Sequence, residues 1–402
     1  MDRTGNQARM AFSGNRWRMF GILLFGYVLS FFTLGIYRFW VVTRKRRFFW
    51  SNTRIDGDAL EYTGTAMQLL VGFLIAVGIF LPLYGLFFYL STKGGESVVF
   101  GYMGAAIFLY FLAGYAAYRA RRFLLSRTLW RGIRFSQKGK AWSYAVRRFL
   151  WTILTVLTLG LAYPFMAGSL WRYRYDHTWF GDRKCQFNGS WKTIAGPFYF
   201  AYFVMAGLVV AAFYLFSKTA RSNGITLNSI GETPAAVALL VAFGVLLPLL
   251  YFYLRARITS RMLSQVSIGK ARLTVRVRAR SLLWQQISYY ILLAMVSVGF
   301  LMLVGYVKGD VLAPLLQNKN ADLSDMLKLG WYNLAIFGVI YLAFMATLAM
   351  LAELVFGLGF WRLVVRGALL SNEQDLRSVR ADGEESALAG QGLADALNVG
   401  AY

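Results

Sequence analysis

Residues 33–65 read TLGIYRFWVVTRKRRFFWSNTRIDGDALEYTGT, and residues 158–190 read TLGLAYPFMAGSLWRYRYDHTWFGDRKCQFNGS. The two stretches align without a gap. Gly35 falls on Gly160, Arg47 on Arg172, Thr53 on Thr178, Tyr62 on Phe187, Gly64 on Gly189 and Thr65 on Ser190. A match of this length points to an internal duplication. Each copy joins an apolar run interrupted at T-L-G, a cluster of cations and a short polar stretch rich in turn residues. Any fold for this chain has to accept that unit twice.

The unit organises the rest of the chain. Residues 1–18 form a basic arm. Residues 19–148 make a first repeat: the interrupted apolar element, a hairpin, two membrane helices and a basic hairpin. Residues 149–281 make a second repeat with the same layout. Residues 282–370 read as a partial third repeat with inserted membrane passes, and 371–402 as a flexible acidic tail. Residues 119–148 hold ten Lys or Arg and no acid, and 255–280 hold eight and no acid. In the second of these, Leu273, Val275 and Val277 alternate with Thr274, Arg276 and Arg278, the period of a strand.

Composition sets the class. Of 402 residues 58% are hydrophobic and 15% charged, against about 25% charged in soluble domains. The apolar residues lie in long runs, as in a polytopic membrane protein. Lys and Arg number 43 against 18 acids, a net charge of +25. In a soluble protein that excess would suggest nucleic acid. Here it reads as basic cytoplasmic loops facing anionic lipid headgroups, with no nucleic-acid partner. Cys185 is the only cysteine, so no internal disulfide forms. The first apolar run follows Arg16 and Arg18 without a small-residue cleavage site and reads as a retained membrane segment.

The expected fold is an α-helical polytopic membrane protein with internal repeats. Short cytoplasmic β-hairpins at 51–65, 126–140, 175–190 and 260–277 stand between its helices. Each is too short to be stable alone. Pairing edge to edge would join them in a small mixed or antiparallel sheet under the membrane bundle, closed or nearly closed by the N-terminal segment Phe12-Ser13-Gly14. Phe12, Tyr62, Phe135 and Phe187 would share its core face. The polar connections at 92–97, 217–233 and 308–329 are nearly neutral and belong outside, while the basic segments belong inside. If the T-L-G elements crossed the membrane, the two repeats would face opposite ways and break that rule. They are therefore expected to enter and return to one face, with Gly at the turn. Arg38 then lies close to the tip and needs a polar surrounding or a route to the interface.

Candidate site residues fall into two groups. Arg46, Arg47, Arg121, Arg122, Arg172, Arg174, Arg255 and Arg257 follow apolar segments directly and form a candidate lipid-headgroup belt. Arg38 and Glu353 are candidates for an intramembrane polar site. A carboxylate in a membrane helix costs a few kcal/mol, and Arg362 or Arg366 are the partners in reach of Glu353. His177 is the only histidine, so no His cluster exists for a metal, and no catalytic residue or cofactor is indicated. Asp56, Asp58, Glu61, Asp176 and Asp182 read as turn formers paired to nearby arginines.

T-L-G-[I/L], the R-x-R-x-x-x-x-T stretch, F-x-G-[S/T] and residues 278–284, RARSLLW, together resemble a known family. It is the domain-of-unknown-function family typified by the bacterial inner-membrane protein YjgN. The resemblance covers residues 12–284 and 357–366 and breaks between about 305 and 355, where two passes look inserted. It implies a multi-pass inner-membrane location and no activity. The residues themselves favour a non-enzymatic protein whose basic hairpins contact anionic lipid or a partner. A transporter or channel built on the interrupted helices and Glu353 is the alternative. An enzyme acting on lipid or envelope precursors comes third. A homo-oligomer and a protein partner are both left open.

Overall fold

The computed structural model describes residues 7–92, 96–223, 234–317 and 330–381. The expectations for 1–6, 93–95, 224–233, 318–329 and 382–402 lie outside the described residues.

Ten strands form one sheet. They are β1 (Gln7–Phe12), β2 (Thr53–Ile55), β3 (Asp58–Tyr62), β4 (Thr128–Trp130), β5 (Ile133–Gln137), β6 (Thr178–Phe180), β7 (Arg183–Phe187), β8 (Val266–Ile268), β9 (Ala271–Val275) and β10 (Ala368–Ser371). Each pairs antiparallel with its neighbours in the chain, and β10 pairs with β1. The result is a closed ten-stranded barrel. This overturns the expectation of short hairpins joined in a small sheet. The four hairpins and β1 alone would leave one edge of β9 and one of β1 unpaired, and β10 pairs with both. That strand falls partly in the stretch read as an acidic tail. Residues 371–381 are not a flexible tail: they finish β10 and continue into a 3-10 turn, Glu373–Ser378.

Two kinds of connection alternate around the barrel. Four are two-residue turns. Asp56-Gly57 and Arg131-Gly132 have positive φ at both positions, which matches the right-handed strand twist. Gly181-Asp182 and Gly269-Lys270 place the positive φ on the glycine. The other five are helical hairpins: α1 (Arg16–Phe32) with α2 (Arg38–Ser51); α3 (Ala66–Ser91) with α4 (Glu96–Ser126); α5 (Ala141–Leu157) with α6 (Tyr163–Asp176); α7 (Lys192–Asn223) with α8 (Pro234–Leu263); and α9 (Ala279–Gln317) with α10 (Gly330–Ala352). A π-helical turn, Glu353–Gly357, joins α10 to α11 (Leu358–Arg366). Helix α9 thus occupies residues 308–317 of the segment expected to be a loop. In an up-and-down barrel all five hairpins must leave from the same end. One backbone hydrogen bond closes the base of each: Ser13 to Asn52 (3.0 Å), Thr63 to Arg127 (2.9 Å), Lys138 to His177 (3.0 Å), Asn188 to Gln265 (2.9 Å) and Arg276 to Gly367 (2.9 Å). The barrel therefore has a helix end and a turn end.

The hairpins differ in length. Six helical stretches are long and apolar enough to cross a membrane: Ala66–Ser91, Gly101–Ser126, Lys192–Leu215, Val237–Leu263, Ala279–Gly309 and Gly330–Arg366. The two T-L-G hairpins are shorter and match each other, with 17 and 14 residues in each. At about 1.5 Å per residue neither spans a hydrocarbon core of about 30 Å. The motif makes the reversal. Thr33 Oγ1 donates to Leu29 O (2.8 Å) and accepts from the Tyr37 amide (3.0 Å), so one hydroxyl ends α1 and starts α2. Thr158 does the same with Leu154 (2.8 Å) and Ala162 (3.1 Å). Leu34 and Gly35, like Leu159 and Gly160, have positive φ. The Gly35 amide reaches back to Ser30 O and the Gly160 amide to Thr155 O, both at 2.7 Å, satisfying carbonyls left open at the helix end.

The strand registers put one face of every strand inside. Phe12, Tyr62, Phe135 and Phe187 all lie on it, with Thr53, Thr128, Thr178 and Gln137 beside them at the helix end. At the turn end Trp130, Phe180 and Ala271 are buried against Leu376 and Val379 of the C-terminal segment. An eight-stranded barrel is just wide enough for side chains to fill. Ten strands enclose more, and Leu376 and Val379 take up part of the excess.

Candidate functional site

The helix end carries the chemistry, and its parts recur. Thr53, Thr128 and Thr178 open β2, β4 and β6, and each donates to the carbonyl four residues back: Phe49 (2.7 Å), Leu124 (2.8 Å) and Arg174 (2.8 Å). Each threonine thus terminates a helix and begins a strand. Two residues past Phe12, Tyr62 and Phe187 stands a glycine that the ring folds against. A Cβ on Gly14, Gly64 or Gly189 would come within 3 Å of Phe12, Tyr62 or Phe187. The carbonyls of those same glycines accept from arginines: Arg362 to Gly14 (2.8 Å), Arg47 to Gly64 (3.2 Å) and Arg172 to Gly189 (2.9 Å). In two of the three, Arg47…Thr53 with Tyr62-x-Gly64 and Arg172…Thr178 with Phe187-x-Gly189, the motif R-x-x-x-x-x-T and the ring-x-Gly motif are two halves of one contact.

All eight candidate belt arginines lie on the returning helices α2, α4, α6 and α8, near where these rejoin the barrel. Their environments are not uniformly open. Arg46 is buried and donates to the Tyr62 hydroxyl at 3.2 Å. Arg121 lies over the Tyr175 ring (4.7 Å), Arg174 over Trp171 (5.3 Å), Arg255 over Phe360 (4.4 Å) and Arg257 over Tyr253 (5.6 Å). Arg122 is half-buried. Burial pulls the Arg174 guanidinium below its ordinary value, and nearby Arg121 adds to the shift. The buried Nε atoms of Arg121 and Arg174 have no hydrogen-bond partner among the described residues. Arg47, Arg121, Arg172, Arg174, Arg255 and Arg257 make no ion pair among them either.

Glu353 sits in the π turn, half-buried, with Oε2 at 3.1 Å from Lys45 Nζ on α2. Its expected partners Arg362 and Arg366 are not used. A π turn re-aims the residues around it, and Gly357 leaves room, since a Cβ there would meet Glu353 Oε1. Arg38 is exposed beside the T-L-G turn, seven residues before Lys45, so the structure does not bring Arg38 and Glu353 together. Spacing could not have paired Lys45 with Glu353, which lie on different hairpins far apart in the chain.

The remaining candidates serve the fold. His177 Nδ1 lies 2.8 Å from Tyr173 O and its ring packs on Tyr173. Burial pushes the Cys185 thiol up to about 12, so it stays protonated inside the barrel. Asp176 accepts from the Phe187 amide (2.9 Å) and Glu61 is exposed on β3. Asp56 and Asp58 bind Arg131 of the next turn. Asp182 accepts from the Arg380 amide at 3.1 Å. No metal-binding group of His, Cys, Asp and Glu occurs among the described residues.

The turn end is tied shut by residues 372–380, which touch all four tight turns. Arg131 binds Glu373 as well as the two aspartates. Arg183 binds Asp375 (2.7 Å), and the Lys270 amide donates to the same carboxylate (2.9 Å). The Asp182 amide donates to Arg380 O (3.1 Å). The Lys270 amide, followed by Arg183, holds the Asp375 carboxyl below the usual carboxylate range.

No curated protein and no solved structure matches this chain. A family model described as bacterial proteins of unknown function, DUF898, matches residues 7–308, from β1 into α9. That match covers more than half of the sequence, and the chain belongs to this family.

Proposed function

We propose that the protein is a multi-pass protein of the bacterial inner membrane whose barrel is a cytoplasmic platform, anchored by its helical hairpins and docked on anionic headgroups through the arginine collar. One observation carries the reading. The tips of the short hairpins are apolar and bare: Leu34 is 95% exposed, Leu159 81% and Phe32 74%. Side chains so exposed at a hairpin tip need an apolar medium to cover them. With the arginines at the base of the same hairpins, that medium is the bilayer, entered from the barrel side. The T-L-G elements then re-enter, the long hairpins cross twice, and every basic segment stays on one face as the charge rule asks.

Lys138 and Lys184, both on the barrel, test the placement. Cysteines at these positions are expected to resist a membrane-impermeant thiol reagent in intact cells and to react after lysis. Labelling of either from outside sinks the reading. Neutralising arginines in pairs tests the docking. Each is worth about 1 kcal/mol near an anionic surface, so phosphatidylglycerol and cardiolipin co-purification should fall with each pair removed.

A second reading, ion- or proton-linked transport, is favoured by the Lys45–Glu353 pair at the π turn. Glu353→Gln should then abolish ion-driven uptake in proteoliposomes while leaving the anionic lipid content unchanged. The platform reading expects no uptake in either protein.

A further inference from the structure

We propose that the groove between α7, α8 and β9 is a phosphate-binding site whose ligand is the headgroup of an anionic lipid. It is an open recess of about 470 Å³ between the start of α7 and the end of α8. Lys192, Arg261 and Arg276 line it, with Thr193, Ser264 and Thr274 between them. None of the eight collar arginines takes part.

The recess is a built one. The Val275 amide donates to Ser264 Oγ and the Val277 amide to Ser260 Oγ, both at 2.8 Å, so hydroxyls of α8 fix the flank of β9 as one wall. Arg261 Nη1 donates to Thr193 O at 3.1 Å, which holds its guanidinium across the first turn of α7. The positive end of the α7 dipole lies there too. Lys192, Arg261 and Arg276 are all exposed, and none makes an ion pair among the described residues. The sequence offers them little: between Arg183 and Gly309 the one acid is Glu232. Three like charges around one recess repel each other, and a bound anion relieves that. Guanidinium forks match a phosphate better than they match a halide.

The position selects the source of the phosphate. The groove lies at the barrel-side end of two candidate spans, Lys192–Leu215 and Val237–Leu263. From it Phe200 and Phe203, 60% and 63% exposed, continue along α7 as a surface for acyl chains. A lipid phosphodiester meets both parts, whereas free phosphate meets only the cations. This assignment rests on the membrane reading above.

The test uses the full chain in phosphatidylcholine nanodiscs, titrated with phosphatidylglycerol and, separately, with soluble glycerol phosphate. The Arg261→Gln/Arg276→Gln protein should bind phosphatidylglycerol about 30-fold more weakly than wild type. Arg261→Lys/Arg276→Lys keeps the charges and loses the forks, and should bind more weakly than wild type but more tightly than the Gln variant, which separates a lost site from a misfolded one. Wild-type affinity in the double Gln variant overturns the groove and leaves the membrane reading standing, since the Lys138 and Lys184 labelling is independent of it. Glycerol phosphate binding as tight as the lipid, and lost in the same variant, overturns the lipid source.

Discussion

The two ends of the barrel use arginine in opposite ways. At the turn end Arg131 and Arg183 meet carboxylates: Asp56, Asp58 and Glu373 for the first, Asp375 for the second. At the helix end Arg47, Arg172 and Arg362 meet glycine carbonyls, and Arg121, Arg174 and Arg255 lie over aromatic rings. Carbonyls and rings orient a cation without cancelling its charge. The turn end is thus tied together by opposite charges, while these helix-end arginines meet no carboxylate among the described residues.

Breaking the seal should have the largest effect. Leu376→Ala removes a buried side chain that packs beside Trp130 and Phe180, and is expected to cost about 3 kcal/mol of unfolding free energy in detergent. A loss under about 1 kcal/mol would mean the C-terminal segment contributes little to the barrel.

The helix end has its own packing limit. Gly64→Val and Gly189→Val push a side chain into the Tyr62 and Phe187 rings. Each should cost about 2 kcal/mol, readable as a lower thermal midpoint. Wild-type midpoints would show that the rings swing away and the F-x-G contact is not tight.

Removing one arginine from each end sharpens the contrast. Arg131→Met removes the guanidinium shared by Asp56, Asp58 and Glu373, leaving the buried Glu373 with Arg377 alone, and should cost about 2 kcal/mol, moderated by the partial exposure of the pair. Arg172→Met loses one hydrogen bond to a backbone carbonyl, about 1.5 kcal/mol. In anionic lipid retention the order should reverse, with Arg172→Met weaker and Arg131→Met unchanged. The same order in both assays would erase the distinction between the two ends.

Acid gives the smallest effect. The folded-state pKa of Asp375 is depressed, so its contribution is present above the unfolded carboxylate value of about 3.9 and is lost as pH falls through the folded value. Proteolysis near residues 372–381 should therefore rise only below about pH 4, and Asp375→Asn should show that susceptibility already at neutral pH.

Some of this could be read from residues alone. The T-L-G reversal is local chemistry: a hydroxyl that caps two helices and a glycine at positive φ. The cation clusters and the Asp-Gly turn are local too. What could not be read is the strand that completes the barrel. β10 has four residues, Ala-Leu-Leu-Ser, with no alternation to distinguish it from the end of the preceding helix. Its partners are more than ninety residues away on the two sides that matter, β9 and β1. The Lys45–Glu353 pair was illegible for the same reason. Pattern within a window finds elements, whereas an ion pair between distant hairpins depends on how the whole sheet wraps. Glu373 and Asp375 suggested an acidic tail because their partners, Arg131 and Arg183, lie about two hundred residues earlier.

The pairing of β1 with β10, in the register Gln7 to Ser371 and Arg9 to Leu369, sets an order of events during synthesis. Every other strand finds its partner among residues already made or just about to be made. β1 must wait with one edge open until β10, about 360 residues later, has left the ribosome. Throughout that interval the growing sheet exposes two unpaired edges, each able to recruit another strand. The basic, arginine-bearing outer faces of β1 and β2, at Arg9 and Arg54, keep such edges apart from copies of themselves. A nascent chain stalled just before residue 368 would hold the residues of all five helical hairpins above a sheet with no clasp. Its fate, aggregation or degradation, would be decided by the last strand it lacks.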